Sequence, residues 1–224
     1  MLGEIVLCPG GRGRVERAEL AGLRILRTEM EPEGLMGRLA LRRGSKGLAR
    51  LGVSRVLAPA GFDRWDYLAG WGLRPVDVIP FLWGAAPCLA LAVLKQEGVP
   101  PGDGTVALRS PAVSPAVEGA ARELCPLVRQ VVLDIPRGGT ELAGQLRREF
   151  GMPVAPDGPQ AQAALCYHPD CRRDWGRTVP LWRGAEGTLG VSIRLPGRVE
   201  EDNLPLLAAL WEAGRIGDGE LEFT

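Results

Sequence analysis

Residues 102–154 read GDGTVALRSPAVSPAVEGAARELCPLVRQVVLDIPRGGTELAGQLRREFGMPV, and the order of patterns within them decides the fold. Thr105–Arg109 and Val131–Ile135 are short apolar runs rich in β-formers, the composition of parallel strands buried on both faces. Between them, Ser114 followed by Pro115 sets a helix start. The hydroxyl caps orphan amides, and the ring takes the first helical position, where no N–H is missed. Val117, Ala121 and Leu124 then share one face, and Pro126 stops the helix. After the second run, Gly138 and Gly139 make a turn, Thr140 is placed to cap, and Leu142, Leu146 and Phe150 form a stripe closed by Gly151. A helix between two parallel strands implies a right-handed crossover. The reading is β-α-β-α-β.

Residues 85–169, which contain LALAVLKQEGVPPGDGTVALRSP from Leu89, VVLDIPRGGTELAGQLRREFGMPV from Val131 and AALCYHP from Ala163, resemble the cofactor half of Rossmann proteins of the shikimate-dehydrogenase and amino-acid-dehydrogenase type. The resemblance implies a connecting helix, a first strand, a phosphate-binding turn, a helix and a second strand ending in an acidic residue. It places Asp134 where a ribose hydroxyl is held and Arg137 where a ribose phosphate is met. The departure lies in the turn. Where the family carries Gly-x-Gly-x-x-Gly, residues 109–115 read RSPAVSP and hold no glycine. Ala112 and Val113 crowd the approach of a pyrophosphate, and Pro111 and Pro115 remove two donors. A dinucleotide is therefore not expected to bind tightly, while a smaller anion can still use Ser110, Ser114 and the helix start.

Composition sets the outer limits. A chain of 224 residues, 46% hydrophobic and 24% charged, suits one large or two small globular domains. Formal net charge is zero, which gives no overall electrostatic case for nucleic acid or membrane. All the basic side chains except Lys46 and Lys95 are arginines. The start, MLGEIVLCPGG, has neither the charge nor the apolar length of a signal peptide, so a cytoplasmic location is expected. Val78–Leu94 is uncharged but short for a membrane span and interrupted by Pro80, Gly84 and Pro87. It is read as a buried strand over Val76–Phe81, a turn at Trp83 and Gly84, and a buried helix through Lys95.

Upstream, Glu4–Cys8 predicts a strand, and Pro9–Arg14 a glycine-rich turn that either cradles phosphate or belongs to a hairpin. Between Gly34 and Phe62 there is no Asp or Glu. Arg38, Arg42, Lys46 and Arg50 are spaced four apart, which on a helix makes one basic stripe, with Leu35, Leu39 and Leu48 elsewhere on its surface. The stripe is either a solvated face or a site for an anionic ligand or a protein partner, and Gly37, Gly44 and Gly47 weaken the helix. Val53–Ala58 reads as a strand and Asp63–Leu68 as a short helix.

Downstream, Ala163–His168 is a strand entering CYHPDC. Cys166, His168 and Cys171 have ligand chemistry, but a closed zinc site needs a fourth ligand and none stands at metal spacing; no metal is expected. His168, the one histidine, sits just past a strand's carboxyl end, where an imidazole can act as acid or base. Thr178–Arg183 and Thr188–Leu195 read as an antiparallel edge hairpin. A helix follows, capped by Asp202 or Asn203, with Leu206, Leu207, Leu210 and Trp211 inward and Gly214 at its end.

These readings combine into an α/β fold, a Rossmann-like open, mostly parallel sheet with helices on both faces and an antiparallel edge hairpin near the C-terminus. The expected division is an N-terminal lobe, 1–100, and a Rossmann-like lobe, 101–224. The expected crevice holds Ser110, Ser114, Asp134, Arg137 and His168. The function expected is binding of a small or anionic ligand, or regulation, on a degenerate nucleotide site without nucleic acid or membrane. The alternatives are an NAD(P)-dependent oxidoreductase with His168 as acid or base, and an interaction protein using the basic helix.

Overall fold

The computed structural model describes residues 1–151, 154–155, 161–170, 176–182, 189–199 and 203–224. The chain forms two compact units, one of Met1–Asp77 with Pro205–Arg215, the other of Val78–Leu204 with Ile216–Thr224. The boundary falls ahead of residue 78, whereas the Pro/Gly-rich stretch near residue 100 lies inside the second unit.

In the first unit, β1 (Leu2–Leu7), β2 (Arg12–Leu20), β3 (Leu23–Met30), α1 (Gly34–Arg50), β4 (Arg55–Leu57), α2 (Trp65–Ala69) and β5 (Arg74–Pro75) follow in order. They form a five-stranded sheet, β2-β3-β1-β4-β5. Only β2 runs antiparallel to its neighbour. The hairpin lies at Ala21 and Gly22, whose φ values of 49° and 85° give the twist a two-residue turn needs. The Gly10–Gly11 turn is therefore not a hairpin: it carries the chain across β3, which lies between β1 and β2. Gly11 permits this, because a Cβ there would stand 2.6 Å from the Met30 backbone.

The glycines of α1 do not end it. Gly44 and Gly47 face the sheet, where a Cβ would meet Met30 Cε at 2.6 Å and Val15 Cγ2 at 2.7 Å, so the close approach of helix to sheet accounts for them. Leu48 is fully buried, in contrast to the surface position expected for it. With Ile5, Leu26, Met30, Leu41 and Val56 it forms the core of this unit.

The second unit opens with α3 (Ile79–Gly84) and α4 (Ala86–Gln96). The strand expected over Val76–Phe81 is absent: residues 76–78 are irregular and a helix begins at Ile79. Pro80 sits in its first turn, where its missing N–H costs nothing, and a short apolar run fits a buried helix as well as a strand. Then come β6 (Thr105–Arg109), α5 (Pro115–Leu124), β7 (Gln130–Asp134), α6 (Gly139–Phe150), β8 (Val154–Ala155), β9 (Ala163–Cys166) and β10 (Arg177–Pro180). Their sheet order is β8-β7-β6-β9-β10, with every pair parallel. Numbered along the chain this is 3-2-1-4-5, the Rossmann order, with its switch point between β6 and β9.

The edge differs from expectation. Arg177–Pro180 pairs in parallel with β9. The antiparallel pair is β11 (Ile193–Arg194) with β12 (Glu222–Phe223), a separate two-stranded sheet. Arg183 and residues 184–188 of the expected hairpin lie outside the described residues, as does Asp202. The helix α7 (Leu204–Glu212) buries Leu206, Leu207 and Leu210 and is followed by Gly214 at φ 63°. No helix among the described residues is long and apolar enough to cross a membrane.

Candidate functional site

Ligands of open α/β sheets bind beyond the carboxyl ends of the strands, at the switch point. Here those ends are Arg109, Asp134 and Cys166. Arg109 and Asp134 are register partners on neighbouring parallel strands, so their side chains emerge side by side. Arg109 Nε donates to Asp134 Oδ2 at 3.1 Å, and the guanidinium side chain is 3% exposed. Its Nη1 also points at Cys166 Sγ, 4.0 Å away. A buried cation needs a partner, and the carboxylate expected to hold a ribose holds Arg109.

The loop that replaces the glycine fingerprint is stitched to the next one. Ser110 N–H donates to the Asp134 carbonyl at 3.3 Å and Val113 N–H to the Arg137 carbonyl at 3.1 Å. Ser110 Oγ donates to the Ala112 carbonyl at 2.8 Å. Arg137 Nε donates to the Pro111 carbonyl at 3.2 Å. Gly138, at φ 85°, is the residue before α6, two positions earlier than the cap expected at Thr140. A Cβ on Gly138 would lie 3.2 Å from Val113 Cγ2, so Val113 closes over the glycine. Ser114 caps α5 as expected, its Oγ accepting from Val117 N–H at 3.4 Å. Ser110, Asp134 and Arg137 are thus brought together, and each, like Ser114, is engaged by the protein itself.

His168 lies two residues beyond β9, with its side chain 42% exposed. Its Nδ1 accepts the Asp170 N–H at 3.2 Å and stands 3.4 Å from Asp170 Oδ2, which holds the ring within its own turn. Cys171 is outside the described residues. Among the described residues no three of His, Cys, Asp and Glu gather as a metal site would require. Beside His168, Tyr167 is buried at the end of β9, its ring centroid 6.2 Å from that of Trp83. Tyr167 Oη and Trp83 Nε1 are both buried without a hydrogen-bond partner among the described residues. Burial first, and the Glu123 carboxylate second, push the Tyr167 phenol above its ordinary range.

In the first unit, the glycine-rich turn carries its own anion. Gly10 N–H donates to Glu31 Oε2 at 2.5 Å. Arg12 and Arg14 line a shallow depression of about 200 Å³ with Glu16, Arg27 and Glu29, and Arg27 pairs with Glu4. A second cleft of about 210 Å³ lies at the carboxyl ends of β1 and β3, between the start of α1 and the loop after β4. Leu7, Met30, Leu41 and Phe62 give it apolar walls; Glu33, Asp63 and Arg64 stand around it. Nothing in the spacing of these residues announces the cleft, because β1, β3 and β4 meet only through sheet topology. The Arg109–Asp134 pair was not among the expectations, although a signal for it exists. Two buried strands, TVALR and VVLD, each end in a charge, and parallel pairing in register sets the two side by side.

No protein-family model matches the chain, and no curated protein matches it. Among solved structures it is similar to the L-tryptophan dehydrogenase of Nostoc punctiforme, at 17% identity and a TM-score of 0.31, over 65% of this chain and 44% of that one. It is also similar to a shikimate 5-dehydrogenase-like protein, at 9% identity and a TM-score of 0.27, over 75% and 66%. The chain spans under half of the first and about two thirds of the second. The Rossmann-like arrangement rests on the chain's own strand order.

Proposed function

We propose that this chain is a small-ligand-binding protein on a Rossmann-like scaffold whose nucleotide site is filled by its own side chains. The observation that supports this is the Arg109–Asp134 ion pair, which engages the carboxylate expected to hold a ribose. The Val113 contact with Gly138 closes the phosphate turn in the same sense. The ligand position is then the cleft at the carboxyl end of the first sheet. Its apolar walls supply burial, and charges of both signs at its edge supply orientation.

A thermal-shift series tests this, since a ligand held by the native state raises the melting temperature by mass action. NAD, NADP, AMP, ADP-ribose and phosphate should leave the melt unchanged. Among small organic acids and amines, those that raise it should lose the effect in Arg64→Ala or Asp63→Ala. A rise with NAD or NADP that disappears in Asp134→Ala would replace this reading with that of an NAD(P)-dependent oxidoreductase.

A further inference from the structure

The outer face of α1 is basic and apolar at once. Arg38, Arg42, Arg43, Lys46 and Arg50 are all exposed, and the helix contains no carboxylate. Leu35, Met36 and Leu39 are 74%, 65% and 50% exposed on the same side. The opposite side, Gly37, Ala40, Leu41, Gly44, Ser45 and Leu48, is buried. A helix of this composition gains nothing from exposing three large apolar side chains, and five cations without an acid on one face repel one another.

We propose that this face docks an acidic amphipathic helix of a partner protein, an interaction distinct from the ligand cleft. Arg38, Arg42, Lys46 and Arg50 form an i, i+4 row about 18 Å long that drifts about 40° around the helix at each step. Such a row is a ridge, the surface feature that seats in the groove of another helix. A helix lying in a bilayer keeps its cations on the face away from its apolar side chains, whereas here Leu35, Met36 and Leu39 stand on the same side as the arginines and the opposite face is buried in the protein. A phosphate backbone offers nothing to Leu35, Met36 and Leu39, whereas a helix with carboxylates beside a row of leucines answers both halves of the face. Arginine forks bind carboxylates in two-point geometry, which favours a fixed register.

The test uses the full chain and fluorescence anisotropy. The probe is a labelled alanine-based helical peptide with Glu at every fourth position beside a row of Leu. Its Lys-for-Glu counterpart, phosphatidylserine vesicles and a short DNA duplex are the comparisons. The acidic peptide should bind saturably, weaken as salt rises, and lose about tenfold in R42E/K46E. Leu39→Ser should weaken it severalfold, and the Lys peptide should not bind. Unchanged circular dichroism and melting of the variants show that the fold is kept, since these side chains are exposed. Failure of the acidic peptide to bind at low ionic strength, equal binding by R42E/K46E, or tighter binding to vesicles or duplex would each overturn the proposal.

Discussion

Arg109 and Asp134 end neighbouring parallel strands in register and close an ion pair of 3.1 Å in which the arginine side chain is almost wholly buried. Taking the carboxylate away leaves that guanidinium in a site built for a pair. Asp134→Ala should therefore cost about 3–5 kcal/mol of unfolding free energy. Replacing both with apolar residues, Arg109→Met with Asp134→Leu, should recover most of the loss, because a buried pair repays little beyond its own desolvation. Urea titration of the wild type and the two variants decides it. A loss below about 1 kcal/mol for Asp134→Ala would show that solvent reaches the pair and that the ribose position is open.

Glycines on two helices should respond in opposite directions to alanine. At Gly44 a Cβ would lie 2.6 Å from Met30 Cε and 2.7 Å from Thr28 Oγ1. The methionine end can move, but Thr28 is fully buried. Overpacking of about 1–3 kcal/mol should exceed the helix-propensity gain of up to about 1 kcal/mol. At Gly119, within α5, nothing lies within 4 Å of the added carbon, so Gly119→Ala should stabilise by about 0.5–1 kcal/mol. Melting curves report both. A Gly44→Ala protein as stable as wild type would mean that helix and sheet separate cheaply.

The Cys125 thiol should be slow to react. It is 4% exposed, and burial, aided by Glu149, pushes it up to about 11. Only about a thousandth is then thiolate at pH 8. Comparing thiol titration of the native chain with that of Cys125→Ser should show one thiol fewer only after denaturation. Rapid modification of native Cys125 would contradict its packing at the end of α5.

The parts of the fold legible in the sequence are those governed by local chemistry. Ser114 and Pro115 mark the start of α5 because cap and ring act on adjacent amides, and Gly151, at φ 66°, closes α6. The strand–helix alternation from Thr105 to Phe150 then leads to the Rossmann order. What stayed hidden depends on contacts between distant segments. Ile79–Gly84 is apolar on every side and carries no period that separates helix from strand. The partner of Ile193–Arg194 is Glu222–Phe223, which no local pattern selects. In the same way Ser110, Asp134 and Arg137 could be named as neighbours from the fold. That Arg109 and Pro111 engage two of them follows only from register.

The Tyr167 hydroxyl gives a pH-dependent test of the carboxyl end of β9. Its oxygen is buried without a partner among the described residues, and burial raises its ionisation above the ordinary value of about 10. Between the unfolded and folded values the native state holds a proton that the unfolded chain has released. The contribution of this group to stability is therefore complete below about pH 10 and is lost as pH rises further. Cys125 shifts in the same direction, so only a comparison isolates the tyrosine. Tyr167→Phe should melt at or above the wild-type temperature at pH 7, because it removes a buried hydroxyl that makes no bond among the described residues. It should also lose less stability than wild type above pH 10. A clear loss at pH 7 would instead identify a water or ligand atom held by Tyr167 Oη and Trp83 Nε1, and would move the search for the ligand to the switch point.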